Sequence, residues 1–254
     1  MLEQNEIQVP RDRMELNRWF RHYYLTNPFV REIIDLHSVY PLQHVRFTCE
    51  NAKQASFFAL MCKEMNLETS LLGIAKEFWK TGEAIVFVEL SETYGRWKEP
   101  HLLDDAIVHR TYAGNIVEHE GERLDPRNVS IIANQLEESD ERGTSILLSS
   151  IKTLMLNDAY KKYNLKTDSS GLVEELLFGG DLKQIQNSYI RFRVAIKDWL
   201  VNKIFKPILE IEQYEFDHPV VVSWPKLDLS SDAGYLRALE DLRNRCTTSA
   251  LVAD

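Results

Sequence analysis

The sequence predicts an α+β protein, in which a small β-sheet lies between two largely helical regions. Apolar residues recur at spacings of three and four up to about residue 81 and again from residue 144 onward, as on one face of a helix. Between these regions, residues 83–135 contain short β-branched runs separated by turn residues, which is typical of strands. Helices and strands that are segregated along the chain indicate an α+β fold.

Two helices are predicted near the start of the chain. Residues 12–25 bring their large side chains to one helical face, namely Leu16, Trp19, Phe20, Tyr23 and Tyr24. Asn27 is predicted to cap the second helix, and Pro28 suits its first turn, where a missing N–H group costs nothing. Pro41 is expected to stop this helix, because its ring disrupts helical backbone.

A strand, two helices and another strand are predicted next. Residues 44–49 alternate between polar and apolar side chains, as in a short strand, and residues 52–66 have helical spacing. A further helix is predicted over about residues 70–81 and closes at Gly82, since glycine readily adopts the left-handed conformation that follows helices. The β-branched run at residues 83–90 predicts a buried strand.

The middle of the chain is predicted to form short strands and turns. Residues 91–100 are interpreted as a loop, and strands are predicted at residues 105–110, 116–119 and 128–133. The sequence DPRN at residues 125–128 is a turn signal between the last two strands. We expect this sheet to pack against the preceding helices.

The remainder of the chain is mostly helical in pattern. One helix is predicted over residues 144–163, followed by a break at 166–171 and a short helix or strand at 172–178. A long helical pattern covers about residues 181–214, and Pro207 is expected to kink it or end it.

The last predicted elements are an extended piece and a helix. Residues 219–225 are apolar and extended, and the final helix is expected to have Ser230 or Ser231 as its cap. The sequence contains no internal repeat and no low-complexity segment.

Composition limits the classes of function. The 254 residues include 30 Lys and Arg against 39 Asp and Glu, which gives a net charge of −9. This charge argues against a protein that holds nucleic acid through a broad basic surface. It remains compatible with a protein that surrounds nucleic acid without gripping it.

The cysteines and apolar runs indicate an intracellular soluble protein. Cys49, Cys62 and Cys246 are far apart, with no CxxC pair, which predicts free thiols in a reducing compartment. The first residues have no apolar core typical of a signal peptide, and no apolar run approaches the ~18 residues that span a bilayer.

The segment ERGTSIL, residues 141–147, is the first candidate for chemistry. A nucleophile elbow requires a glycine two residues after the serine, and Ser145 lacks one. A phosphate-binding loop requires a lysine beside the hydroxyl residues, and none is present. We therefore interpret Thr144 or Ser145 as a helix cap, with the acidic residues 137–141 near the positive end of the helix dipole.

Histidines are the second candidates. Of seven histidines, three lie in the predicted sheet region: His101, His109 and His119, the last between Glu118 and Glu120. Metal sites favour histidines four residues apart on a helix or ligands that a known fold assembles, and these lack such spacing. They are interpreted as solvated or sheet-facing side chains.

Two further patterns are weighed against structural roles. Asp104 and Asp105 point to opposite faces of an extended chain, so a turn or a strand start is the better interpretation.

Residues 189–199 interleave basic and aromatic side chains like a nucleic-acid stripe. On a helix, the apolar side chains of Tyr189, Phe192, Ile196 and Trp199 share one face, which favours an amphipathic packing helix. The sequence therefore predicts no enzyme, and no catalytic, cofactor-binding or metal-binding residues.

The order of the segments resembles the portal proteins of tailed bacteriophages. YYLTNPFVREIIDLHSVYPLQ is similar to the family's N-terminal segment, in which Tyr-x-x-Asn-Pro precedes a helix. WKTGEAIVFVEL resembles its helix, glycine and buried strand, and ERGTSILLSSIKTLMLNDAY resembles its Gly-x-Ser segment and long helix. IKDWLVNKIFKPILE and the segment from Val220 to Asp254 are similar to its later part. The similar segments cover most of the chain, and the resemblance rests mainly on the order in which they occur.

The resemblance implies a subunit of a homo-oligomeric ring, commonly twelve-fold, at one vertex of the virion capsid. DNA passes through such a ring during packaging and ejection, and terminase, capsid and tail-connector proteins contact it. It also implies a wing-like α+β domain over residues 1–142, a stem-like helical region over 143–216, and an extended segment with a terminal helix over 217–254. No cofactor or membrane is implied. Because the chain is shorter than family members usually are, we expect a short or truncated form.

Two rival functions remain open. A hydrolase or nuclease with an unassembled active site predicts that changing His109, Asp105 or Ser145 abolishes an activity. A host-side interaction module predicts no ring.

Overall fold

The computed structural model describes residues 8–91, 96–104, 108–110, 116–134, 142–162, 181–211 and 218–251. It confirms the mixed α+β architecture. The helices are α1 (Arg13–Thr26), α2 (Pro28–Val39), α3 (Ala52–Glu64), α4 (Leu67–Thr81), α5 (Ile151–Lys162), α6 (Leu182–Trp199), α7 (Lys206–Ile211) and α8 (Ala233–Leu251). The strands are β1 (Arg46–Thr48), β2 (Glu83–Phe87), β3 (His101–Leu102), β4 (Val108–Arg110), β5 (Ile116–His119), β6 (Glu122–Arg123), β7 (Val129–Ala133) and β8 (Val221–Ser223).

The first helices begin and end where their local chemistry requires. The Asn27 side chain accepts hydrogen bonds from the backbone N–H groups of Phe29 and Val30, so the predicted cap of α2 is confirmed. Pro41 does stop α2, since a 3₁₀ turn at Tyr40–Leu42 follows Val39. Helix α4 begins at Leu67, earlier than predicted, directly after Asn66 takes the left-handed conformation.

Three small antiparallel sheets complete the fold within the described residues. Their strand orders are β1-β8, β3-β2-β7 and β4-β5-β6. The central sheet pairs Ile85 with Ile131, and α4 leads into it through Gly82, whose φ of +90° confirms the predicted left-handed closure. The pairing of Phe47 with Val222 joins β1 to β8, which lie far apart along the chain.

The helix predicted over residues 144–163 begins only at Ile151. The physical reason is that the preceding carbonyls are taken by other partners. The Thr144 carbonyl accepts a hydrogen bond of 2.8 Å from the Asn134 side chain, and a helical carbonyl would instead need the N–H group four residues ahead. Residues 146–150 form turns. The predictions for residues 137–141, 166–171 and 172–178 lie outside the described residues.

The long C-terminal pattern is helical through Pro207. Helix α6 continues into a π-helical turn at Leu200–Phe205 and then into α7. The Lys206 N–H group donates to the Val201 carbonyl, five residues back. This wider turn carries the backbone past Pro207, whose ring would otherwise meet the carbonyl four residues earlier. Pro207 therefore does not end the helix.

Asp232 is the cap of the final helix, so the predicted serine caps are wrong. The Asp232 carboxylate accepts from the Tyr235 N–H group at 2.9 Å, whereas Ser230 donates its hydroxyl to Asp228. The physical reason is position: Asp232 directly precedes Ala233, the first helical residue, so its carboxylate reaches a free N–H group of the first turn.

One hydrophobic core joins most of the elements. It extends from Leu16 in α1 to Leu242 in α8 and includes the fully buried Trp79, Phe192 and Phe205. The cluster contains residues from each of the predicted ranges 1–142, 143–216 and 217–254. The division of the chain into these ranges stays a prediction. Among the described residues, no helix combines the length and apolarity that crossing a membrane requires.

Candidate functional site

The ERGTSIL segment lies against the C-terminal end of α4. A Cβ atom at Gly143 would lie 1.8 Å from the carbonyl oxygen of Gly82, so neither backbone leaves room for a side chain there. Arg13 donates to the carbonyls of Thr81 and Gly143 and bridges the two segments. These contacts place the segment at a junction inside the fold.

Ser145 has a structural environment. Its side chain is buried, and its hydroxyl donates to the Lys80 carbonyl at 2.6 Å and accepts from the Leu147 N–H group at 2.9 Å. The hydroxyl thus satisfies a carbonyl in the last turn of α4 and caps a turn at Leu147, so the prediction that Ser145 caps a helix is wrong. This use of both hydrogen-bonding positions favours the structural interpretation over a nucleophile.

An ion pair beside this junction was missed by sequence reasoning. Arg142 contacts the Glu83 carboxylate through two nitrogens, and the Glu83 side chain is only 1% exposed. A buried carboxylate needs such a partner, because burial otherwise strongly disfavours its charge. The signal in the sequence is weak, since Arg142 lies 59 residues after Glu83 along the chain.

The candidate histidines and carboxylates do not converge in the described residues. His101 is exposed in β3, His119 is partly buried in β5, and Asp104 accepts a hydrogen bond from Arg21 at 2.9 Å. The His109 side chain and Asp105 lie outside the described residues. In the described ranges, no group of three or more His, Cys, Asp or Glu side chains is placed to hold a metal ion.

The aromatic stripe of α6 is confirmed as a packing face. Tyr189, Phe192, Ile196 and Trp199 are all buried in the core. Arg193, one of the basic residues considered for nucleic acid, instead donates to the carbonyls of Pro41 and Pro225 at 2.9 and 3.2 Å.

A buried imidazole lies at the centre of this packing. His37 has no exposed surface, and its ring lies 5.3 Å from the Trp79 ring and 5.4 Å from the Tyr189 ring, measured between centroids. Burial lowers the pKa of His37 to about 3, so the ring is neutral at physiological pH. Burial also raises the pKa of Tyr235, whose hydroxyl lies 3.4 Å from that of Tyr189, to about 12.

The outward side of α6 carries apolar and basic side chains together. Ile190 and Val194, one helical turn apart, are 43% and 53% exposed. Arg191 and Lys197 are exposed near them, and neither forms an ion pair with any residue that the structure describes. We call these four residues the outer face of α6.

A groove of about 770 Å³ opens elsewhere on the surface, between the end of α2 with β1 and the α3–α4 corner. Its apolar lining includes Val39, Val45, Phe47, Leu67, Leu71 and Leu72. Lys63 and Glu68 also line it and are exposed. Cys62 is a free thiol in its wall, and burial raises the pKa of this thiol to about 11, so it stays protonated. The volume lies in the range of ligand and partner sites.

Comparison with known proteins gives no match, either to a protein-family model or to a curated protein.

Proposed function

We propose that this chain is a portal-like structural subunit of a tailed bacteriophage. In this proposal, copies form a homo-oligomeric ring, commonly of twelve, at one vertex of the capsid in the virion. Double-stranded DNA passes through the ring, and terminase, capsid and tail-connector proteins dock on it. Residues 1–142 correspond to the wing-like domain, residues 143–216 to the stem-like helices and residues 217–254 to the terminal part. The proposal assigns no catalysis, metal or cofactor to the chain.

The supporting observation is that the segments similar to the portal family pack directly on one another. Trp79, from WKTGEAIVFVEL, contacts His37 of the N-terminal segment, and its carbonyl accepts from Ile146 of the ERGTSIL segment. Tyr40, in turn, lies 4.6 Å from the ring of Tyr235 in the last segment. Segments that resemble a family but lie apart in the structure would give little support. The segments that resemble portal proteins pack against one another in one hydrophobic core.

The net charge and an exposed apolar surface also support this proposal. A chain with a net charge of −9 suits a channel, because a strongly basic lining would hold DNA phosphates and slow its passage. The exposed apolar pair on the outer face of α6 offers a surface through which such a subunit can contact its neighbours.

Electron microscopy of the purified chain tests the proposal, together with its mass in solution. We expect ring-shaped particles with a central channel and a mass that is a multiple of the 29.6 kDa subunit. Particles that stay monomeric at high protein concentration would overturn the proposal.

The rival enzymatic function is tested separately with Ser145→Ala and with variants of Asp105 and His109. A hydrolase or nuclease would lose activity while keeping its assembly state. The portal proposal expects effects on stability or assembly alone. A source genome that encodes a terminase and a capsid protease beside this chain would further support the portal proposal.

A further inference from the structure

We propose that this chain has an electron-transfer activity, in which a one-electron oxidation of the buried Trp79 is passed through Tyr189 to the partly exposed Tyr40. The path consists of Trp79, Tyr189, Tyr235 and Tyr40, which we call the aromatic relay. It lies within one copy of the chain, so it does not depend on the proposed function. The electron leaves the chain to an external one-electron acceptor, such as a radical or an oxidised metal complex.

The rings of the aromatic relay form a continuous series of contacts. The ring centroids of Trp79 and Tyr189 are 5.9 Å apart, and that of Tyr189 lies 6.1 Å from Tyr235 and from Tyr40. The rings of Tyr235 and Tyr40 are 4.6 Å apart. Indole and phenol rings are among the side chains that lose one electron most easily, and electrons cross such short distances between them. Among the described residues, Tyr189 is the only tyrosine in ring contact with Trp79, so this path must cross it.

Proton transfer determines where the oxidised state ends. A phenol that loses an electron becomes a strong acid, so its oxidation requires a base within hydrogen-bond reach of the hydroxyl. The Tyr40 hydroxyl donates a hydrogen bond to the Asp232 carboxylate. The buried hydroxyls of Tyr189 and Tyr235 lie 3.4 Å from each other, and neither bonds to a carboxylate in the described part of the chain. The oxidised state therefore ends on Tyr40.

Electrons and protons balance along this path. The external acceptor gains one electron, and Trp79 becomes an indole radical cation. Tyr189 returns an electron to Trp79 and regains one from Tyr40, either directly or through Tyr235. Tyr40 loses this electron together with its phenolic proton, which passes to Asp232. A neutral phenoxyl radical and a protonated carboxyl group remain at partly exposed residues, and the buried indole is restored.

Photo-oxidation of the full chain tests this path. Light at the red edge of the indole absorption excites tryptophan and not tyrosine, and a cobalt(III) ammine complex takes up the electron that tryptophan ejects. A nitroso spin trap forms covalent adducts with tyrosyl radicals. Peptide mass spectrometry locates these adducts in the chain and measures their yield at Tyr40.

Two variants interrupt the path at different steps, and circular dichroism checks their fold. Tyr189→Phe keeps the ring and removes its capacity to be oxidised. Asp232→Asn removes the carboxylate base, whereas asparagine caps a helix as well as aspartate does, so α8 should keep its start. Asp232 is partly exposed, so this variant leaves the core intact and tests the last step by itself.

Tyr24→Phe is the matched control. Its hydroxyl also donates to a carboxylate, that of Asp35 at 3.0 Å, but its ring contacts no ring of the aromatic relay. We expect adducts at Tyr40 in the wild-type chain and, in equal yield, in Tyr24→Phe. The adducts at Tyr40 should be lost in Tyr189→Phe and should form in lower yield in Asp232→Asn.

Three results would overturn the proposed path. A wild-type chain without adducts at Tyr40 would show that the oxidised state does not reach this residue. A wild-type yield at Tyr40 in Tyr189→Phe would show that electrons do not cross Tyr189, and a wild-type yield in Asp232→Asn would show that the carboxylate does not take the proton. None of these results changes the assembly state of the chain, so the portal proposal would stand or fall separately on the mass and shape of its particles.

Discussion

Acidification is expected to destabilise this protein through His37. Its imidazole is completely buried between Trp79 and Tyr189, and burial lowers its pKa from 6.5 to about 3. In the unfolded chain the same ring binds a proton near pH 6.5. Below that pH the unfolded state binds more protons than the folded state, so acid favours unfolding.

The size of this effect follows from the two pKa values. The stability that depends on a neutral His37 is fully present above pH 6.5 and is lost as the pH falls toward 3. Each pH unit in this window costs about 1.4 kcal/mol, so lowering the pH from 7.5 to 4.5 removes about 2.7 kcal/mol. That is a large part of the ~5–15 kcal/mol by which folded domains are usually stable.

The His37→Phe variant isolates this contribution. Phenylalanine is aromatic and does not titrate, so the free energy of unfolding of the variant should fall by about 2.7 kcal/mol less than that of the wild-type chain between pH 7.5 and 4.5. Urea denaturation at both pH values measures this difference, and carboxylates that titrate in both proteins cancel. His101→Phe, at an exposed position of β3, is the matched control and should keep the wild-type loss.

Equal losses in the wild-type chain and in His37→Phe would refute this reasoning. They would mean that burial does not disfavour protonation of the imidazole, and that the acid sensitivity arises elsewhere in the molecule.

Two further predictions concern the stability of the fold. Gly143→Ala should destabilise the protein by about 3 kcal/mol in urea denaturation, because its Cβ would lie 1.8 Å from a backbone oxygen that cannot move aside. Gly73→Ala, inside α4 with a flexible Leu102 side chain 3.4 Å away, should instead stabilise it by up to about 1 kcal/mol, and a similar loss at both glycines would contradict the steric argument. Trp97→Phe should cost about 1–2 kcal/mol, since it removes the 2.6 Å hydrogen bond from the indole N–H to the Ile204 carbonyl in the π-helical turn. A Trp97→Phe variant with a wild-type urea midpoint would show that this bond contributes nothing.

Local chemistry made several elements predictable from the sequence. Asn27 and Gly82 act through their own side chain or backbone freedom, so their effects on the ends of helices depend on neighbours a few residues away. The buried stripe of α6 was predictable for the same reason, because helical periodicity alone brings Tyr189, Phe192 and Trp199 to one face.

For the candidate site, the sequence predicted only that Ser145 is not a nucleophile, and it did not predict the contacts that Ser145 makes. The spacing around Ser145 argued against a nucleophile elbow, yet it did not reveal that the hydroxyl bonds to the Lys80 carbonyl. The groove and the exposed pair on α6 depend on which side of each element is covered, and periodicity cannot say that an apolar outward residue such as Val194 stays uncovered.

The amino-acid order thus specified the helices, the strands near residue 83 and the mixed architecture, because these follow from interactions within a few residues. Tertiary contacts decided the remainder. The hydrogen bond from Asn134 to the Thr144 carbonyl delays helix α5, the pairing of Phe47 with Val222 joins β1 to β8, and full burial keeps His37 neutral. Each depends on partners ten or more residues away along the chain, beyond the reach of helical or strand periodicity, and such partners meet only as the chain folds.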